Sequence, residues 1–143
     1  MGQMNLLRIA AEYVTDGARH GSPSMLMRRL SQEHRVQIDF DVARRLFADL
    51  YGAGVTAPIN LEKRAYPVLL ERAKALAAVD AYVAAGKGLD WASLYECPQC
   101  CRVAPWTDGR TTASGDEVDE YWCQTCGAEV PLADCAQAEL TAA

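Results

Sequence analysis

The sequence predicts a mainly α-helical chain with small β elements. Three observations carry this. Apolar residues recur at helical spacing over most of the first 95 positions. Two glycine- and proline-punctuated stretches break that period. Paired cysteines then dominate the rest. Half of the 143 residues are apolar, enough to bury a core of ordinary size.

Leu6, Ile9, Ala10 and Tyr13 mark one face of a first helix that should end near Gly17. Ser22-Pro23 offers an N-cap followed by proline at the first helical position. Met25, Leu26 and Leu30 then carry a second helix to about Glu33. Asp39 or Asp41 can cap a third helix, whose stripe is Val42, Ala43, Leu46, Phe47 and Leu50 and whose stop is Gly52-Ala53-Gly54. Val55-Thr56-Ala57 and Ala65-Tyr66, separated by Asn60, Glu62, Lys63 and Arg64, read as a short hairpin with a basic tip. Pro58 and Pro67 suit its strand ends. Three helices followed by a hairpin is the order of a winged helix-turn-helix, expected over residues 1–68. A small helical bundle with an irregular loop is the alternative.

Residues 69–95 read as an Ala-rich helix broken at Gly86-Lys87-Gly88, then a short helix capped by Asp90 and carrying Trp91, Leu94 and Tyr95. The Ala-rich helix is either a connector that docks or dimerises, giving a homodimer, or a fourth core helix.

Residues 96–143 contain Cys97-Pro98-Gln99-Cys100 and Cys123-Gln124-Thr125-Cys126-Gly127, with 22 residues between them. Each C-x₂-C puts two thiolates on one side of a tight turn, and two such turns supply the tetrahedral S₄ set that Zn²⁺ prefers. Gly127 gives the second turn its backbone freedom. The expectation is a zinc ribbon with one structural Zn²⁺ on Cys97, Cys100, Cys123 and Cys126. Iron in a rubredoxin-like set is the chemical alternative. Four protein ligands leave no open position, so this metal would organise the fold and catalyse nothing. Cys101 and Cys135 are left as reduced thiols, with Cys101 also able to exchange with Cys100 as a ligand.

Asp116, Glu117, Asp119 and Glu120 crowd what reads as a loop between the cysteine pairs; solvated carboxylates explain them better than a catalytic metal site. His20 and His34 read as turn histidines. Ala84-Ala85-Gly86-Lys87-Gly88 lacks the first glycine and the Ser/Thr of a P-loop, which excludes a nucleotide-driven motor. No enzyme activity is expected.

Charge divides unevenly. Residues 1–90 hold twelve Lys or Arg against ten Asp or Glu, a net +2; residues 91–143 hold two against nine, a net -7. A polyanion is attracted to the first part and repelled by the second. Arg44 and Arg45 on the third helix are the candidates for a DNA groove, with Arg28, Arg29, Lys63 and Arg64 as phosphate contacts. The acidic ribbon is the candidate surface for a protein partner. No stretch approaches the roughly 18 apolar residues of a membrane span. No secretory signal is visible either, so a cytoplasmic protein with reduced cysteines is expected.

Two resemblances sharpen this. Ser22-Pro23-Ser24-Met25-Leu26-Met27-Arg28-Arg29-Leu30 and Ala43-Arg44-Arg45-Leu46-Phe47-Ala48-Asp49-Leu50-Tyr51-Gly52-Ala53-Gly54-Val55 resemble the winged-helix gamma domain of FtsK-type DNA translocases, over residues 5 to 68. That resemblance implies sequence-directed binding to double-stranded DNA, with Arg44 and Arg45 at positions that face DNA in the family. The stretch from Ser31 to Asp41 is longer than the family's turn and no motor domain precedes it, so the translocase role does not carry over. A winged helix followed by a zinc ribbon is also similar, in order alone, to the alpha subunit of the general transcription factor TFIIE. The expected function is a small DNA-binding transcriptional regulator or accessory factor. The alternative is a protein-interaction adaptor or inhibitor, for example one that binds RNA polymerase.

Overall fold

The computed structural model describes residues 5–17, 20–97, 100–105, 109–111, 117–122, 129–131 and 136–138. Its architecture is mainly helical with small antiparallel sheets.

Helix α1 (Leu6–Val14) starts where the Asn5 side chain accepts from Leu7 N at 2.9 Å. Seven of its nine residues are buried, so it is the axis of the core rather than a surface helix. Strand β1 (His20–Gly21) follows, then α2 (Pro23–Arg29), capped by Ser22 Oγ accepting from Met25 N. One π-helical turn extends α2 over Leu30–His34 and ends at Arg35, whose φ of 55° turns the chain out. Val36 and Ile38 are buried while Gln37 between them is exposed, so this connection runs extended along the core.

Asp39 Oδ1 accepts from Val42 N at 2.8 Å and starts α3 (Phe40–Gly52); Val42, Ala43, Leu46, Phe47 and Leu50 are buried as the spacing predicts. Gly54, at φ 85°, lets Val55 N reach Leu50 O and close the helix. The hairpin then forms by pairing of Thr56 with Val68 and of Asn60 with Ala65. Its return strand β2 (Tyr66–Pro67) also pairs with β1, His20 opposite Pro67 and Gly21 opposite Tyr66. The Tyr66 ring stacks on Phe47 of α3 with centroids 4.3 Å apart, fixing the hairpin beside that helix.

Helix α4 (Arg72–Ala84) packs on α1 through Ala75 and Val79 and is tied by the Arg8–Asp80 ion pair at 3.2 Å. It is a fourth helix of the core, attached by a narrow stripe. The short helix expected after Asp90 does not form. Instead the Trp91 carbonyl accepts from Leu6 N, and Leu94–Glu96 becomes strand β3, antiparallel to β4 (Val103–Pro105). Tertiary pairing overrides a local helical spacing too short to nucleate. Trp91, Leu94 and Val103 lie in one hydrophobic cluster with α1, α2 and α3, so the core runs straight across residue 95. Farther on, β5 (Gly109–Thr111), β6 (Glu117–Trp122) and β7 (Glu129–Pro131) make a second sheet in the order β5-β6-β7, and β8 (Ala136–Ala138) joins β3.

Candidate metal centre and nucleic-acid interface

The β3–β4 register ends at Glu96 opposite Val103 and leaves residues 97 to 102 as the turn. Cys97 N donates to Arg102 O and Cys101 N donates to Cys97 O, each at 2.9 Å. These bonds curl Cys97 and Cys100 onto one tight turn. Cys97 is fully buried, Cys100 half-buried and Cys101 exposed. Cys101 sits at φ 61°, a left-handed conformation that favours glycine.

The β6–β7 register ends at Trp122 opposite Glu129 and leaves residues 123 to 128, again six positions with cysteines at the first and fourth. The fifth position is Gly127, where the first turn has Cys101. Each C-x₂-C thus falls in a six-residue interval between two paired strands, and four such thiolates are the residue types that Zn²⁺ takes in tetrahedral S₄ coordination. Cys123, Cys126 and Cys135 lie outside the described residues, and among the described residues no group of three or more His, Cys, Asp or Glu is assembled for a metal. Glu117, Asp119 and Glu120, expected in a loop, belong to β6 and pair across both its edges, because Val118, Tyr121 and Trp122 give that stretch strand character.

The exposed side of α3 carries Phe40, Arg44, Ala48 and Tyr51, spaced as one helical stripe. Arg45 is only half-exposed and pairs with Asp41 at 3.4 Å. Arg28 on α2 is exposed. Arg29 turns inward, its guanidinium 4.1 Å above the Tyr13 ring and paired with Asp16 and Glu33. Lys63 and Arg64 are exposed at the hairpin tip, where Asn60 Oδ1 accepts from Glu62 N and Lys63 N. Of the six cations expected to meet DNA, Arg28, Arg44, Lys63 and Arg64 thus stand on the surface, while Arg29 and Arg45 are engaged within the fold. Leu61 is 81% exposed at the same tip. Phe40, Tyr51 and Leu61 were not singled out in the sequence, although the 40/44/48/51 spacing was readable there. His20 lies in β1, and the His34 ring packs 5.9 Å from that of Tyr13.

A second polar centre holds α3 against the rest. Asp49 accepts from Tyr82 Oη at 3.1 Å, Leu89 N at 3.0 Å and Trp91 Nε1 at 2.6 Å. Burial, then this bond and the carboxylate's charge, raise the Tyr82 hydroxyl above the ordinary tyrosine range. Tyr13 is raised too, by burial first and by its bond to Glu33, whose carboxyl the same bond lowers. Raised tyrosines contribute stability that is complete below their unfolded value of about 10 and is lost as pH rises through the folded values. Absorbance titration should therefore show Tyr13 and Tyr82 ionising late and together with unfolding, a signal lost in Tyr13→Phe and Tyr82→Phe. Ionisation of both before unfolding would contradict this.

Comparison with protein-family models, with curated proteins and with solved structures finds no match to this chain.

Proposed function

We propose that this chain is a small double-stranded-DNA-binding protein, a transcriptional regulator or accessory factor, in which residues 5–68 act as a winged helix-turn-helix and the cysteine hairpins hold one structural Zn²⁺. One observation carries the reading: β1 pairs with β2, the return strand of the hairpin, while Tyr66 stacks on Phe47. This ties a basic-tipped hairpin to α3 through the buried Phe47, which supports reading the hairpin as a wing and α3 as a recognition helix. Arg44 would enter the groove, with Lys63, Arg64 and Arg28 on phosphates. Three phosphate contacts imply a log–log salt slope of about 3 in magnitude. The ribbon, in the -7 segment, serves protein contact.

The test is selection of duplexes from a random-site pool at low salt, followed by anisotropy titration. Arg44→Ala should cost about 1–3 kcal/mol of specific affinity, and Lys63→Ala should weaken all sequences alike while lowering the salt slope by about one. Absence of any duplex enrichment would end the reading.

A second reading has its own support. Phe40 and Tyr51 are 52% and 54% exposed on either side of Arg44, and Leu61 stands out at the hairpin tip, so these exposed apolar groups suit a protein partner of an adaptor or inhibitor. An adaptor keeps its partner in a pull-down after nuclease treatment; a DNA reader does not.

A further inference from the structure

The stretch from Ser31 to Asp41, longer than a helix-turn-helix needs, has a use in the fold. Gln37, at its extended centre, is bonded twice to the cysteine hairpin: its backbone oxygen accepts from Val103 N and its Oε1 accepts from Arg102 Nη1, both at 2.7 Å. Arg102 is the last residue of the first cysteine turn, and its backbone oxygen accepts from Cys97 N. A short covalent and hydrogen-bonded path therefore runs from Cys97 through Arg102 to Gln37. Two residues beyond Gln37, Asp39 caps α3 and starts the stripe that holds Arg44. Beneath this path Val36, Ile38, Leu94 and Val103 are buried in one cluster. The hairpin is seated on the α2–α3 connection through the Val103–Gln37 backbone bond and the Arg102–Gln37 side-chain bond.

We propose that the cysteine hairpin is a metal-loaded clamp on the α2–α3 connection, so that metal on the Cys97/Cys100 turn sets the placement of α3 and the affinity of its exposed face for duplex DNA. This rests on the zinc- and DNA-binding reading above. Backbone bonds from Cys97 N and Cys101 N help to close the turn. With metal, the turn is also cross-linked through its thiolates, and motion of β4 that would release Gln37 is opposed. Binding free energies at two linked sites are reciprocal, so duplex must tighten zinc by the factor by which zinc tightens duplex.

The experiment uses the full chain under reductant, stripped with a chelator and reloaded with Zn²⁺ alone. Zinc should slow amide exchange at residues 36–38 as well as at 94–97 and 100–104. It should also tighten the selected duplex about tenfold, with duplex tightening zinc equally in competition against a chromophoric chelator. The Gln37→Ala, Arg102→Ala double variant should still bind one zinc but show both factors reduced. Unchanged exchange at 36–38, with protection confined to the hairpin, overturns the clamp. So does duplex affinity independent of zinc in a chain that binds both. If no zinc binds, the metal reading fails and the clamp with it. If zinc binds but no duplex does, the DNA reading fails, and the clamp on the connection then stands or falls on exchange at 36–38.

Discussion

Asp49→Ala is expected to remove about 3–5 kcal/mol of folding stability, because one carboxylate satisfies three donors that have few alternatives. Trp91 is fully buried, so water cannot readily replace the oxygen that its Nε1 reaches at 2.6 Å. Leu89 N lies in the loop that brings the chain back from α4 to the core. A stranded buried donor costs about 1–3 kcal/mol, and charge-assisted bonds sit at the upper end. A domain of this size has only about 5–15 kcal/mol to lose. Asp49→Asn should fall between, since its amide turns a donor toward groups that are themselves donors. Tyr82→Phe removes one bond and should cost about 1 kcal/mol. Denaturant unfolding followed by tryptophan fluorescence measures the series. A cost below about 1 kcal/mol for Asp49→Ala would mean that apolar packing of Trp91 alone anchors the loop.

The loop itself is fitted to that carboxylate. Gly88 has a φ of 78°, and a Cβ there would lie 2.7–2.8 Å from the Asp49 carboxylate atoms. A Cβ on Gly52 would likewise lie 2.7 Å from the Tyr82 hydroxyl oxygen. Both glycines let backbone approach the polar centre that joins α3 to α4 and Trp91.

What was readable in the sequence is what local chemistry decides. Ser22 caps α2, Asp39 rather than Asp41 caps α3, and Gly54 ends it, since each signal acts within about four residues of itself. The core stripe of α3 followed from period alone. Long-range partners were not readable. Asp49 looks like any charged residue on a helix until Tyr82, Leu89 and Trp91 arrive 33 to 42 positions later. Arg29 and Arg45 look as available as Arg28 and Arg44, yet Tyr13, Asp16 and Asp41 claim them. Leu94–Glu96 became a strand because Val103–Pro105 and Ala136–Ala138 pair with it. The long α2–α3 connection was visible as a departure from the translocase pattern, but nothing local to it announced the hairpin seated on Gln37.

Cys97→Ser is expected to abolish stoichiometric zinc binding, while Cys101→Ser leaves it intact. The two residues differ in what the turn does with them. Cys97 is fully buried, donates its N–H to Arg102 and accepts from Cys101 N, which sets it as the first ligand position of a C-x₂-C turn. Loss of a direct ligand should exceed the about 10–100-fold weakening that follows loss of an outer-shell partner. Cys101 is exposed and left-handed at φ 61°, and the corresponding place after the second C-x₂-C is Gly127 in the sequence. Its side chain is strained there by about 1–2 kcal/mol, so Cys101→Gly should raise the melting temperature without loss of metal. Zinc released on thiol titration, measured with a colorimetric chelator, separates these variants. Equal loss of zinc from Cys97→Ser and Cys101→Ser would make Cys101 a ligand in place of Cys100. The turn would then bind metal one residue later than its backbone hydrogen bonds imply.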